Sequence, residues 1–182
     1  MIMERSTALL ESMTLEFPGF AIRKKGTSRL QRLLGGLLRV VTFGQQRTYV
    51  TQYYTVLFGV LWVPESWDLL PDKARYVLLR HERVHLRQRK RLGDLLLALV
   101  YLVPIFPLGL AWGRARIEWE AYRETLRATA EVYGMDAARG LGPEIVRRFV
   151  GGDYGWMWPF PKTVARWVEE ELERIQGSET EV

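Results

Sequence analysis

The stretch RHERVH at residues 80–85 decides how the rest of this chain is interpreted. His81 and His85 are the only histidines among the 182 residues, and they stand four positions apart. On a helix, residues i and i+4 project from one face, so the two imidazoles can bind one metal ion. Glu82 can then act as a general base that activates a metal-bound water. The stretch therefore predicts a helical zinc site with His81 and His85 as ligands and Glu82 as the catalytic base.

A zinc site of this kind needs a third protein ligand. The chain has no cysteine and no further histidine, so the ligand must be a carboxylate. The segment RARIEWEAYRE at residues 114–124 offers Glu118, Glu120 and Glu124. Helical spacing puts Glu118 on an inward stripe, whereas Glu120 belongs to an alternating-charge stripe typical of a solvated face. We therefore expect Glu118 to be the ligand, with Glu120 as the alternative. The two cannot both bind the ion, because residues i and i+2 lie on opposite sides of a helix.

The segments around the motif predict an α+β protein that is mainly helical. Residues 47–63 are rich in β-branched and aromatic residues, which indicates two strands or one long bent strand, with Gly59 as a bulge. Apolar residues at helical spacing, with glycines as stop signals, predict the helices. Helices are expected at about residues 28–41, 72–92, 110–133, 143–150 and 162–176. Strands that precede the long helices, rather than alternating with them, favour the α+β class.

A histidine pair of the form HExxH, followed by a glutamate on a later helix, resembles the gluzincin metallopeptidases. The segment RIEWEAYRE at residues 116–124 is similar to the glutamate helix of the CAAX-prenyl and heat-shock membrane metalloproteases. This resemblance implies that His81, His85 and Glu118 are the zinc ligands and that Glu82 is the general base. A rival alignment with thermolysin-like enzymes gives the ligand role to Glu120. The layout of residues 45–135 also resembles small bacterial metallopeptidases.

The resemblance implies one zincin-like domain over residues 1–182, in which the HExxH helix packs on the glutamate helix. Within it we expect an N-terminal arm and strands at 1–64, metal-site helices at 71–134 and C-terminal helices at 142–176. The length is close to that of one ordinary domain, and a hydrophobic content of 48% suits a globular core.

Residues 95–112 form an uncharged, mostly apolar segment that Pro104 and Pro107 interrupt. A single membrane crossing would put the histidines and Glu118 on opposite sides of the bilayer, so the site could not assemble. A hairpin bent at Pro104 would have arms too short for a hydrocarbon core of about 30 Å. We therefore expect either a buried pair of short helices or a shallow insertion into a membrane surface. Basic residues just before the segment would suit an anionic bilayer.

The leading functional hypothesis is a zinc-dependent peptidase that acts on a peptide or protein. The stretch Thr55–Val63 precedes the motif helix, and we expect extended substrate to pair with it. Tyr122 and Tyr154 are candidates for stabilising the oxyanion. The alternative is a basic protein that binds nucleic acid or a membrane surface and keeps a structural or vestigial zinc site. The net charge of +5 permits such anionic partners, but no aromatic interleaving marks a nucleic-acid surface.

The amino terminus indicates where the protein acts. Residues 1–17 carry three glutamates and have no basic segment followed by an apolar run, which argues against a secretory signal peptide. The absence of cysteine excludes disulfide scaffolds, cysteine-ligated metals and thiol nucleophiles. We expect a cytoplasmic protein, with or without attachment to a membrane surface.

Overall fold

A computed structural model of the chain describes residues 4–25, 54–57, 59–102, 111–151 and 157–180. These residues are mainly helical and include one small sheet, which confirms the predicted α+β, mainly helical class. They form two compact units, residues 1–86 and residues 87–182. The single domain expected from the sequence stays a prediction. The helix predicted at 28–41 and the first part of the predicted strand region lie outside the described residues.

The first unit contains a three-stranded sheet. Its described elements are α1 (Arg5–Glu16), β1 (Ala21–Lys24), β2 (Thr55–Leu57), β3 (Val60–Val63), a 3-10 helix (Glu65–Leu69) and the first part of α2 (Asp72–Leu102). The strand order is β1-β3-β2, with β1 parallel and β2 antiparallel to the central β3. Gly59 lies between β2 and β3 with a φ of 78°, which favours glycine because it has no Cβ. The described part of the predicted β-region, residues 54–57 and 59–63, therefore contains two strands.

Helix α1 supplies much of the core of the first unit, although the sequence analysis did not predict it. Its buried residues join buried residues of β3, the 3-10 helix and α2 in one apolar cluster. The cluster consists of Leu9, Met13, Phe17, Leu61, Val63, Trp67, Leu79 and Leu86. Leucine-sized side chains contribute about 2 kcal/mol each on full burial, so this cluster stabilises the described part of the unit.

Helix α2 begins at Asp72, directly after Pro71, and its helical geometry breaks at Gly93, where φ is 74° and ψ is 163°. The sequence predicted that the helix would end at this glycine. Instead, the helix resumes and continues to Leu102. An ion pair between Arg89 and Asp94 spans the break.

The second unit packs four further helices around an apolar core. They are α3 (Trp112–Tyr133), α4 (Met135–Gly140), α5 (Gly142–Val150) and α6 (Pro161–Thr180). Gly134, with a φ of 90°, ends α3 as predicted, while α4 was not predicted. The fully buried residues at the centre include Leu126, Phe149, Met157 and Val164.

The alternating-charge stripe of α3 is only partly solvated. Arg123 and Arg127 both form ion pairs with Glu171 of α6, at 2.8 and 2.7 Å, and Glu171 has no exposed side-chain surface. Arg174 lies 3.1 Å from the same carboxylate. A buried carboxylate needs such partners because removing its charge from water is costly. The stripe that was interpreted as a solvated face therefore anchors α6 to α3.

Candidate metal centre

His81 and His85 lie one turn apart on α2 and are half-buried. Their Nε2 atoms are 3.2 Å apart, and their ring centroids are 4.9 Å apart at an interplanar angle of 73°. Two nitrogens that bind one zinc ion at about 2.05 Å with a tetrahedral angle stand about 3.3 Å from each other. The two imidazoles therefore already have the separation that a shared zinc ion requires.

Glu118 is the predicted third ligand, and it lies on α3 with only 3% of its surface exposed. One ligand atom from each of His81, His85 and Glu118 lies within 4.8 Å of the other two. These are the three residues that the sequence analysis selected as ligands, and their role stays a prediction. Two imidazole nitrogens and one carboxylate oxygen form a donor set that suits zinc and leaves one tetrahedral position for water or substrate.

Glu120, the alternative third ligand, has a different environment. Its Oε2 atom accepts a hydrogen bond of 3.0 Å from the side-chain amide of Gln88, which also donates to the carbonyl oxygen of Ile117 at 2.9 Å. Gln88 is buried and lies three residues after His85 on α2. It holds the backbone of α3 at the residue before Glu118, so it is a positioning group for the candidate centre.

The sequence analysis missed Gln88. The only signal for it is that Gln88 is the one uncharged residue in the basic run at 87–91. An uncharged residue there is consistent with a position turned away from solvent.

Glu82, the predicted general base, is 5% exposed. Its negative charge affects the pKa values of two groups of the first unit. Burial lowers the pKa of Lys25 to about 8, and the negative charge of Glu82 opposes part of that shift. Burial also raises the pKa of Tyr54, and Glu82 adds to that rise. Glu82 thus lies within electrostatic reach of one lysine and one tyrosine of the first unit, and charges interact more strongly in such a partly buried environment than in water.

Lys25 was not identified from the sequence. Lys24 is the last residue of β1, and Lys25 follows it directly outside the strand. Lys24 is bonded to Asp68 at the surface, whereas Lys25 has no exposed surface. Two consecutive lysines thus have different environments.

Arg83 is a charged residue at one of the two variable positions of the HExxH motif. Its Nε atom donates to Glu16 at 2.6 Å, and its Nη2 atom donates to the hydroxyl of Ser12 at 3.2 Å. Both partners lie on α1. Arg83 thus connects the motif helix to α1 by hydrogen bonds. The ion pair with Glu16 accounts for a charged residue at this position of the motif.

The structure describes only one of the two tyrosines that were considered as oxyanion stabilisers. The hydroxyl of Tyr122 accepts a hydrogen bond of 3.3 Å from Arg148, and its ring lies 5.7 Å from that of Phe149. Tyr122 thus packs in the core of the second unit. Tyr154 lies outside the described residues.

Comparisons with known proteins add no family for this chain. No protein-family model, curated protein or solved structure matched it. The functional argument therefore rests on the chemistry of the residues, namely two histidine nitrogens, one buried carboxylate and a buried glutamate next to the first histidine.

Proposed function

We propose that this protein is a zinc-dependent peptidase of the gluzincin type with a zincin-like fold. His81, His85 and Glu118 would hold the zinc ion, and Glu82 would act as the general base. The observation that carries the proposal is the 3.2 Å separation of the two histidine Nε2 atoms together with a buried carboxylate whose oxygen lies within 4.8 Å of both. Only 3% of the surface of Glu118 is exposed, and a cation beside a carboxylate in such a position is favourable because removing the negative charge from water is costly.

The chemistry follows from the groups at the site. When bound, Zn²⁺ supplies Lewis acidity toward a water molecule and toward the carbonyl oxygen of a peptide. Glu82 accepts the proton that the attacking water loses and delivers it to the nitrogen of the leaving amine. The water oxygen forms the new bond to the carbonyl carbon as the C–N bond breaks, so the products are one carboxylate and one amine.

The sheet restricts how an extended substrate can pair with the protein. The sequence analysis expected pairing along Thr55–Val63, but β3 already has a strand on each side. Its backbone groups are therefore engaged, and β3 cannot accept a third strand. Among the described strands, β2 lies at one edge of the sheet, so we propose that substrate pairs by β-augmentation along Thr55–Leu57.

Two substitutions separate the ligand role from the base role. We expect the purified protein to hold about one zinc ion per chain and His85→Ala to lose it, because an inner-sphere bond disappears. Glu82→Gln should keep the zinc while peptide hydrolysis falls by about 10² or more, since a general base is not a ligand. Elemental analysis and turnover of a peptide library measure the two effects.

Glu11→Gln, which changes an exposed glutamate of α1, is the matched control and should leave both quantities unchanged. Full hydrolysis by Glu82→Gln would refute the mechanism. Bound zinc in the parent protein without hydrolysis of any peptide would favour the alternative of a structural or vestigial site.

A further inference from the structure

The part of α2 that follows Gly93 exposes leucines to solvent. Leu95, Leu96 and Leu99 are 86%, 46% and 56% exposed. Leu95 and Leu99 are four residues apart and Leu96 adjoins them, so the three share one side of the helix. We call these three residues the leucine face. Exposed leucines are common singly, but several together on one helix face mark a binding surface.

Val100, four residues after Leu96 on the same helical segment, packs on α3 beside the leucine face. A Cβ atom at Gly113 would lie 2.6 Å from Cγ1 of Val100 and 3.0 Å from its carbonyl oxygen, so only glycine allows this approach. The segment is thereby fixed against the start of α3, where Trp112 is 56% exposed. The leucine face is therefore presented by a packed helix and has an exposed tryptophan nearby in the second unit.

Positively charged residues flank the leucine face and Trp112 along the chain. Lys90 and Arg91 are exposed in the turn before Gly93, and Arg116 is exposed one turn after Trp112. The acidic residue of this part of α2, Asp94, forms an ion pair with Arg89. Leucine and tryptophan together with lysine and arginine are the composition of helices that lie in a membrane interface. An anionic lipid headgroup layer complements both the apolar and the charged parts.

We propose that the leucine face and Trp112 insert into the surface of an anionic bilayer, with Lys90, Arg91 and Arg116 against the lipid phosphates. The proposed insertion involves these apolar side chains alone. None of the described helices is long and apolar enough to cross a membrane. Each basic residue near such a surface strengthens binding by about five-fold at physiological salt. The proposal does not depend on the zinc site.

Flotation of the full-length protein with vesicles tests this proposal. We expect binding to phosphatidylcholine vesicles that contain phosphatidylserine, and weak binding to pure phosphatidylcholine. The pair Leu95→Glu and Leu99→Glu should reduce binding by at least ten-fold, because carboxylates replace the inserting side chains. Lys90→Gln with Arg91→Gln should reduce it by about 25-fold. Leu15→Glu, at a leucine of α1 that is 85% exposed, is the matched control and should bind like the parent protein.

Three outcomes would overturn the proposal. One is a parent protein that does not float with anionic vesicles. A second is a leucine-face variant that binds as well as the Leu15→Glu control, which would make the attraction purely electrostatic. A third is a leucine-face variant that turns a dimer into a monomer and binds vesicles unchanged, which would assign the face to a second copy of the chain. Circular dichroism of each variant checks that its helices are intact, and zinc content should be the same in all of them.

Discussion

Lysine side chains are seldom fully buried, yet Lys25 has no exposed surface. Burial disfavours its charged form and lowers its pKa from 10.5 to about 8, although the charge of Glu82 acts in the opposite direction. The folded protein therefore holds this proton less tightly than the unfolded chain. Between pH 8 and pH 10.5 the unfolded chain binds the proton and the folded chain largely does not.

This difference predicts how stability varies with pH. As pH rises through that window, Lys25 should raise the free energy of unfolding of the metal-free protein by up to about 1.4 kcal/mol per pH unit. As pH falls through 8, the contribution is lost. Lys25→Met should show a smaller rise between pH 8 and pH 10, measured by urea unfolding. The neighbouring Lys24→Met is the control and should keep the rise of the parent protein. Equal slopes for all three proteins would disprove the assignment.

Glu118 and Glu120 provide a second comparison at single residues. Glu118→Gln should lose most of the bound zinc, because an uncharged amide is a far poorer ligand than a carboxylate. Glu120→Gln should keep it, since Glu120 accepts a hydrogen bond from Gln88 that an amide oxygen can also accept. Zinc per chain after dialysis measures both. If Glu120→Gln loses zinc and Glu118→Gln keeps it, the thermolysin-like alignment is the correct one.

Single residues could be predicted from the sequence only where their proposed role depends on local helical spacing. His81, Glu82 and His85 could be selected because their chemistry needs only one turn of helix. Glu118 could be separated from Glu120 because its burial follows from the face of the helix on which it lies, and Glu118 is indeed the buried one. Lys25 and Gln88 could not be selected, because tertiary packing creates their environment and neither has a local motif.

At the scale of elements, α1 depends on a residue from another helix. Its N-cap residue, Glu4, makes no side-chain capping bond. Asp72, the first residue of α2, instead accepts hydrogen bonds from the backbone amides of Arg5 at 3.2 Å and Ser6 at 2.9 Å. A carboxylate there satisfies two orphan amides and interacts favourably with the helix dipole. The pKa of Asp72 is lowered, chiefly by its hydrogen bonds with Ser6.

Removal of this cap should be measurable. Asp72→Ala should lower the free energy of unfolding by about 1 kcal/mol at neutral pH, as other lost caps do. Because the pKa of Asp72 is lowered by folding, the difference between variant and parent should shrink as pH falls through that pKa. Asp136→Ala removes an acid of α4 whose side chain is fully exposed and should change stability by less than about 0.5 kcal/mol. Equal effects of the two substitutions in urea unfolding would contradict the capping role.

One end of each of two helices was predicted correctly where a proline or a glycine marks it in the sequence. The start of α2 at Pro71 and Asp72 and the end of α3 at Gly134 were predicted because proline and glycine restrict the backbone directly. The break at Gly93 was predicted as an end, but the leucine-rich residues after it form helix again. Helix α1 was missed because it has no cap of its own, and its apolar residues are buried by residues of β3, the 3-10 helix and α2 that lie far away in the sequence.

At the scale of the whole molecule, a bound metal should stabilise the folded protein. A ligand that binds only the folded state at about 1,000 times its dissociation constant adds about 4 kcal/mol. For a chain of this size that corresponds to a rise in Tm of roughly 10 °C. We therefore expect a chelator to lower the Tm of the parent protein and to leave that of His85→Ala unchanged. A parent Tm that is insensitive to both zinc and chelator in scanning calorimetry would argue against a site linked to folding.

The fold class could be predicted because it depends on the order of strands and helices, which periodicity reveals. The arrangement of the sheet could not be predicted in the same way. Strand β1 lies at residues 21–24, yet it pairs in parallel with β3 at residues 60–63. Pairing between segments so far apart is set by the long-range packing of α1 and α2 around the sheet, and neither strand carries a local signal for its partner.

The spacing of the two histidines also determines the order in which the candidate centre can assemble during folding. His81 and His85 come together as soon as one turn of α2 forms, which closes a very short loop at little entropic cost and on a submicrosecond timescale. The carboxylate of Glu118 comes from a separate helix and arrives only with tertiary structure. If the three residues bind zinc as proposed, an ion present during synthesis would meet the two histidines first, and tight binding would follow only when the chain has folded.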